Sequence, residues 1–296
     1  MNSIERAMER LSREQDKAYK REVAIPFPVA AGDKAHTEPR SSAEPRSAPA
    51  SKTNLELNFE VLAQAGYLTP ATMNGDLAEE YRLLKRPLLL NAGARDEEKL
   101  EDGNLIAVTS ALPNEGKTFT TFNLAMSIAM ELDNTVLLVD SDLIRRSLTH
   151  LVGLDNALGL TDVLLDLRID PGDIIVNTNV PKLRLIPAGR THHHTTELLA
   201  SEQMQTLTAE LSARYNDRIV LFDTPPVLTT SQAGVLAALM GQILLVVEEG
   251  KTSQYAIEDA IERLDVAEDK VIGMVLNRCR HSFGKEVYGD YHYGVS

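Results

Sequence analysis

The chain has 296 residues, 43% hydrophobic and 25% charged, with one cysteine and no tryptophan. That is enough apolar material for one large domain with appendages or for two small domains, and a lone cysteine excludes an intramolecular disulfide. The net charge is −13; residues 1–52 hold ten Lys/Arg against eight Asp/Glu, so the acidity lies beyond them, which argues against a nucleic-acid partner because such a surface repels a phosphate backbone.

At the N-terminus, Ile4, Ala7, Met8 and Leu11 fall at i, i+3, i+4 and i+7, the spacing of a short amphipathic helix within 1–25. Its narrow stripe suits packing on its own domain and binding a partner equally. Residues 26–53 follow as an expected disordered linker, with five of the thirteen prolines among Ala, Ser and charge and no apolar period. The longest apolar runs, such as ILLVV at 243–247, are far short of the ~18–20 residues that span a bilayer. The opening MNSIERAMER has no apolar leader core. A cytoplasmic protein is expected.

From about residue 76 the pattern alternates. Apolar runs at 104–109, 135–140, 183–187, 218–223, 242–248 and 270–276 read as strands, and 118–131, 196–214, 231–240 and 252–265 read as helices. Continuous rather than alternating apolar runs indicate strands buried on both faces. The expected fold is α/β: a mostly parallel sheet with helices on both faces, over 54–280, followed by a tail at 281–296. Ligands of such sheets bind beyond the carboxyl ends of the strands.

Those ends carry chemistry. The first run exits into TSALPNEGKTFTTF, where Gly116-Lys117-Thr118 opens a helix. Backbone N–H groups of such a loop cradle phosphates, the lysine reaches the β- and γ-phosphates, and the threonine hydroxyl suits Mg²⁺. The first glycine of the usual phosphate loop is replaced by Ala111. The second run ends in Asp140, an expensive place for an unused carboxylate, and Asp142 follows either as a helix cap or as the second member of an acidic pair. The fourth run ends in Asp223-Thr224-Pro225-Pro226, similar to the acidic element that orders Mg²⁺ and its waters in phosphate-loop NTPases.

Together these motifs resemble the bacterial tyrosine kinases, autokinases that control exopolysaccharide synthesis. The family's loop S-x-x-P-x-E-G-K-[ST] is matched by Ser110, Pro113, Glu115, Gly116, Lys117 and Thr118; its D-x-D by Asp140 and Asp142; its D-x-P-P by residues 223–226. An E-x-x-R-x-x-[RK] segment used for subunit assembly is matched by Glu79, Arg82 and Lys85. Residues 76–296 carry the resemblance, most similar to the cytosolic subgroup that accompanies exosortase-type clusters. Two departures are visible: the arginines after D-x-D are Arg145-Arg146 followed by serine rather than proline, and Gln232 stands where an acid is common. Partition and cell-division ATPases share the fold, but their signature lysine position holds Leu112. A non-catalytic, nucleotide-gated assembly module is the remaining alternative.

The resemblance implies ATP and Mg²⁺ as cofactors. Pro113, Asn114, Glu115, Gly116, Lys117, Thr118 and Phe119 would form the nucleotide loop, with Asn277 and Arg278 at the base. Thr118, Asp140 and Asp223 would hold the metal, and Asp140 or Asp142 would accept a tyrosine proton, since a phenol of pKa ~10 is scarcely ionised at neutral pH. The acceptors would be Tyr288, Tyr291 and Tyr293, crowded into the last nine residues of the chain. The tail spans at most about 55 Å when extended, enough to reach a neighbour's site. Expected partners are further copies of the chain and a membrane-anchored polysaccharide co-polymerase, which would place the protein at the inner membrane.

Overall fold

All six apolar runs form strands, and the computed structural model describes residues 54–93, 100–213, 218–264 and 270–279. The readings for 1–53 and for the tail with Tyr288, Tyr291 and Tyr293 lie outside those residues. In chain order, β1 (Asn54–Leu55), α1 (Phe59–Gln64) and α2 (Asp76–Gly93) come first. They precede β2 (Leu105–Ser110), α3 (Lys117–Ala129), β3 (Thr135–Asp140), α4 (Ser147–Leu151) and α5 (Leu160–Leu165). Next are β4 (Val176–Thr178), β5 (Leu183–Ile186), α6 (Thr195–Leu199), α7 (Glu202–Ala213) and β6 (Arg218–Asp223). The last are α8 (Gln232–Ala237), β7 (Gln242–Glu248), α9 (Gln254–Leu264) and β8 (Val271–Asn277).

The strands form one sheet in the order β1-β4-β5-β3-β6-β2-β7-β8. Six of them run parallel, while β4 is antiparallel to β5 and β1 follows β4. The reversed pair, two and three residues long, is too short to carry a period. Successive residues of β2 face opposite sides. Ile106 and Val108 pack with Tyr81, Leu88, Phe122 and Met126 beneath α2 and α3. Leu105 and Ala107 join Leu207, Leu236 and Leu264 beneath α7, α8 and α9.

Two local outcomes differ from the sequence reading. The helix expected over 196–214 is broken in two at Ser201. Its hydroxyl donates to Leu198 O at 2.7 Å and accepts from Met204 N at 3.2 Å, closing one helix and capping the next. The 18-residue α2 contains Pro87, and it is fixed by polar contacts at two points. Buried Gln242 donates from Nε2 to Leu88 O at 3.0 Å and accepts from Asn91 Nδ2 at 2.9 Å. Lys85 donates from Nζ to Ser127 O at 2.8 Å and pairs with Glu131 at 2.5 Å.

Candidate active site

The loop between β2 and α3 is held from three directions by Glu115, which is buried. Its side chain accepts from Leu112 N at 2.7 Å and from the Thr252 hydroxyl, and its carbonyl accepts from Asn277 Nδ2 at 2.8 Å. Asn114 and Gly116 take positive φ, 68° and 96°. A Cβ added at Gly116 would lie 2.1 Å from Asn277 Nδ2, so the loop admits only glycine there. Ala111 is a different case: it is fully buried in the core and its φ is not positive, so nothing local asks for glycine. Pro113 and Asn114 form the turn, and Asn114 Oδ1 accepts from Arg145 Nη1 at 3.3 Å. Half-buried Phe119 packs on Tyr67 with centroids 4.9 Å apart and the rings tilted by 45°.

Three strand ends bring the charged residues together. Asp140 and Asp223 are direct register partners on β3 and β6. Lys117 Nζ lies 2.9 Å from Asp142 Oδ2 and 3.7 Å from Asp223 Oδ1. Asp223 also accepts from Thr118 Oγ1 at 2.7 Å and from Thr121 Oγ1 at 3.3 Å. Asp142 Oδ1 accepts from Arg145 N at 3.0 Å, so it closes a turn and faces the lysine at once. Asp140 accepts through Oδ2 from Thr149 N at 2.8 Å and Thr149 Oγ1 at 2.7 Å. Its other oxygen, Oδ1, is buried without a hydrogen-bond partner among the described residues.

The electrostatics follow from three carboxylates sharing one lysine inside the protein. Burial, then the neighbouring Asp223, pushes Asp140 up to about 7. Asp223 is likewise raised, chiefly by burial and against the pull of Lys117. For Lys117, burial opposes the charge, but Asp223 and Asp142 outweigh it and the pKa rises. The cluster is short of positive charge, and the orphaned oxygen of Asp140, at the strand end paired with that of Asp223, fits a small oxygen-seeking cation. Among the described residues no three His, Cys, Asp or Glu side chains could hold a metal unaided. The opened helix end of α3 and the glycine at 116 fit the phosphates themselves.

Residues 103–273 match a family model described as an AAA domain. The tyrosine-protein kinase YwqD of Bacillus subtilis is 31% identical over 222 residues, covering 75% of this chain and 88% of that protein. The chain belongs to the bacterial tyrosine kinase family. The kinase of this family called wzc in Salmonella typhimurium is 34% identical over 192 residues, or 64% of this chain. That match spans only 26% of wzc, so the chain corresponds to about a quarter of the longer relative. The solved kinase domain of Escherichia coli tyrosine kinase ETK superposes with a TM-score of 0.59 at 26% identity, covering 82% of this chain and 94% of that domain. A partition-type ATPase is not favoured beside this kinase family.

The geometry places the remaining sequence-predicted residues outside this cluster. Lys85 is buried and bound within the chain, because it lies on the buried stripe of α2 with Ala78, Tyr81 and Leu88. Glu79 and Arg82 remain on the surface and pair with each other at 2.5 Å. Arg278 reaches the rim, but its guanidinium pairs with Glu248 at 3.0 Å. Asn277 is spent on the loop carbonyl. Cys279 is exposed just beyond the end of β8. The sequence reading missed Thr121, Thr149 and Thr252. Thr121 was within reach, one helical turn after Lys117; nothing in the sequence marks the other two.

Proposed function

We propose that this kinase transfers phosphate from ATP to tyrosines of its own C-terminal tail, in trans within a homo-oligomer. The observation that carries the reading is convergence at one rim. Lys117 Nζ lies 2.9 Å from Asp142 Oδ2 and 3.7 Å from Asp223 Oδ1. The last described strand ends at the same loop, with Asn277 hydrogen-bonded to Glu115, so whatever follows β8 starts beside the phosphate site.

In this reading Lys117 exchanges its carboxylates for the β- and γ-phosphates, aided by the loop amides. Thr118, Asp140 and Asp223 are the residues that would hold Mg²⁺, which supplies charge neutralisation for the transferring phosphoryl group. With Asp140 so engaged, Asp142 takes the tyrosine proton once Lys117 has turned to the phosphates. Positioning does the rest, since phosphoryl transfer needs little covalent help from protein. Each phosphate adds about −1.5 to −2 charges, so a tail carrying three would load a chain already at −13 and loosen the oligomer through repulsion. The family resemblance implies a role in exopolysaccharide synthesis, with a membrane-anchored co-polymerase as the partner that brings the protein to the inner membrane. Among the described residues no helix is long and apolar enough to cross a membrane.

Mass spectrometry of the peptide after Lys285 tests this. Incubation with ATP and Mg²⁺ should phosphorylate Tyr288, Tyr291 and Tyr293, and Lys117→Ala should abolish it unless wild-type chain is added. A peptide that stays unmodified with wild-type enzyme, nucleotide and co-polymerase together overturns the reading.

A further inference from the structure

We infer that Thr149 is the positioning residue that aims Asp140 at the metal; this rests on the reading of the site given above. Asp140 ends β3 in the interior, and one oxygen receives both the amide and the hydroxyl of Thr149, at 2.8 and 2.7 Å. The hydroxyl has no freedom of direction. Thr149 Oγ1 accepts from Ala188 N at 2.9 Å, and an amide N–H only donates, so the hydroxyl proton must point to Asp140. Asp140 Oδ2 is therefore doubly satisfied, while Oδ1 is left unpartnered among the described residues. A carboxylate held through one oxygen and offering the other is the arrangement by which outer partners orient a metal ligand.

The support behind Thr149 is rigid. Thr149 is itself fully buried on α4. Ala188 lies in backbone that packs against Gly159 so tightly that a Cβ there would meet Pro187 O at 2.1 Å. Asp162 ties both sides of that contact, accepting from Gly159 N at 2.9 Å and Arg190 N at 3.2 Å. The orientation of Asp140 is thus inherited from the β5 exit, through one hydroxyl, before any ligand arrives. That is the pre-organisation a functional carboxylate needs.

The test uses the full chain and a fluorescent ADP analogue, with binding followed as MgCl₂ is added. Thr149→Val should raise the Mg²⁺ concentration for half-saturation roughly 10- to 100-fold. Its affinity for the analogue in EDTA should stay within about threefold of wild type, and Thr149→Ser should restore the Mg²⁺ response. If melting shows that the valine variant does not fold, Thr149→Ala carries the same expectation. Adding Thr149→Ala to Asp140→Ala should cause no further loss. A Mg²⁺ response in the valine or alanine variant that overlays wild type overturns the inference. So does a serine variant as defective as valine, or a second additive loss in the double variant. Wild-type protein that binds the analogue without regard to Mg²⁺ would instead overturn the underlying reading of the site.

Discussion

Asp140→Asn should make the nucleotide-free domain more stable, and increasingly so as pH rises. Burial and Asp223 lift the Asp140 carboxyl from its ordinary 3.8 to about 7, so the folded protein holds this proton more tightly than the unfolded chain does. Stability from that proton is full below pH ~4 and is lost as pH climbs through 7. At about 1.36 kcal/mol per unit the loss approaches ~4 kcal/mol at pH 8, of which roughly 2 kcal/mol is already gone at pH 5. Asparagine is neutral throughout and has the shape to keep the Thr149 contacts. The stability gap between variant and wild type should therefore widen by about 2–3 kcal/mol between pH 5 and pH 8. That is roughly 5–10 °C for a domain of this size. Differential scanning fluorimetry in EDTA, at unit steps of pH, measures it directly. With Mg²⁺ and nucleotide present the order should reverse, because the wild-type site alone gains the bound metal. A gap that does not vary with pH would refute the claim that Asp140 is a strained, buried acid.

Gly116→Ala should lower nucleotide affinity at least tenfold while leaving the fold intact, because both the left-handed φ of 96° and the 2.1 Å approach of Asn277 forbid a Cβ; wild-type affinity by fluorescence titration would count against the loop geometry. Lys85→Ala should cost about 1–3 kcal/mol in urea unfolding by stripping a buried contact with Ser127 and Glu131. Arg82→Ala, whose pair with Glu79 is exposed, should cost under ~1 kcal/mol. Equal losses would mean that α2 faces the other way.

The sheet was legible because its strands are unbroken apolar runs, and each run that matters stops at a charge: Lys117 a loop beyond β2, Asp140 at the end of β3, Asp223 at the end of β6. Such an ending has few explanations other than chemistry at the rim. The supporting cast was not legible. Thr149 meets Asp140 only because the chain doubles back over nine residues, and Thr252 meets Glu115 across 137; neither distance leaves a period to read. Lys85 was a different failure. A lysine standing among Ala78, Tyr81 and Leu88 on one face of a helix announces an inward ammonium, a spacing that its place in an assembly motif does not reveal. The break at Ser201 went unseen because a serine reads as a tolerable helix residue until its hydroxyl is known to turn back on Leu198.

The reversal of β1 and β4 sets the traffic of the chain. Since β1 runs against the parallel strands, residue 54 enters from the side where β3 and β6 deliver their acids, and Asn277 leaves on that side too. Seven strand spacings, each about 4.8 Å, put these two doorways some 34 Å apart along the sheet. The first and last described strands therefore open onto one rim from opposite edges of the sheet, and Asn277 at the second of them already touches the phosphate loop.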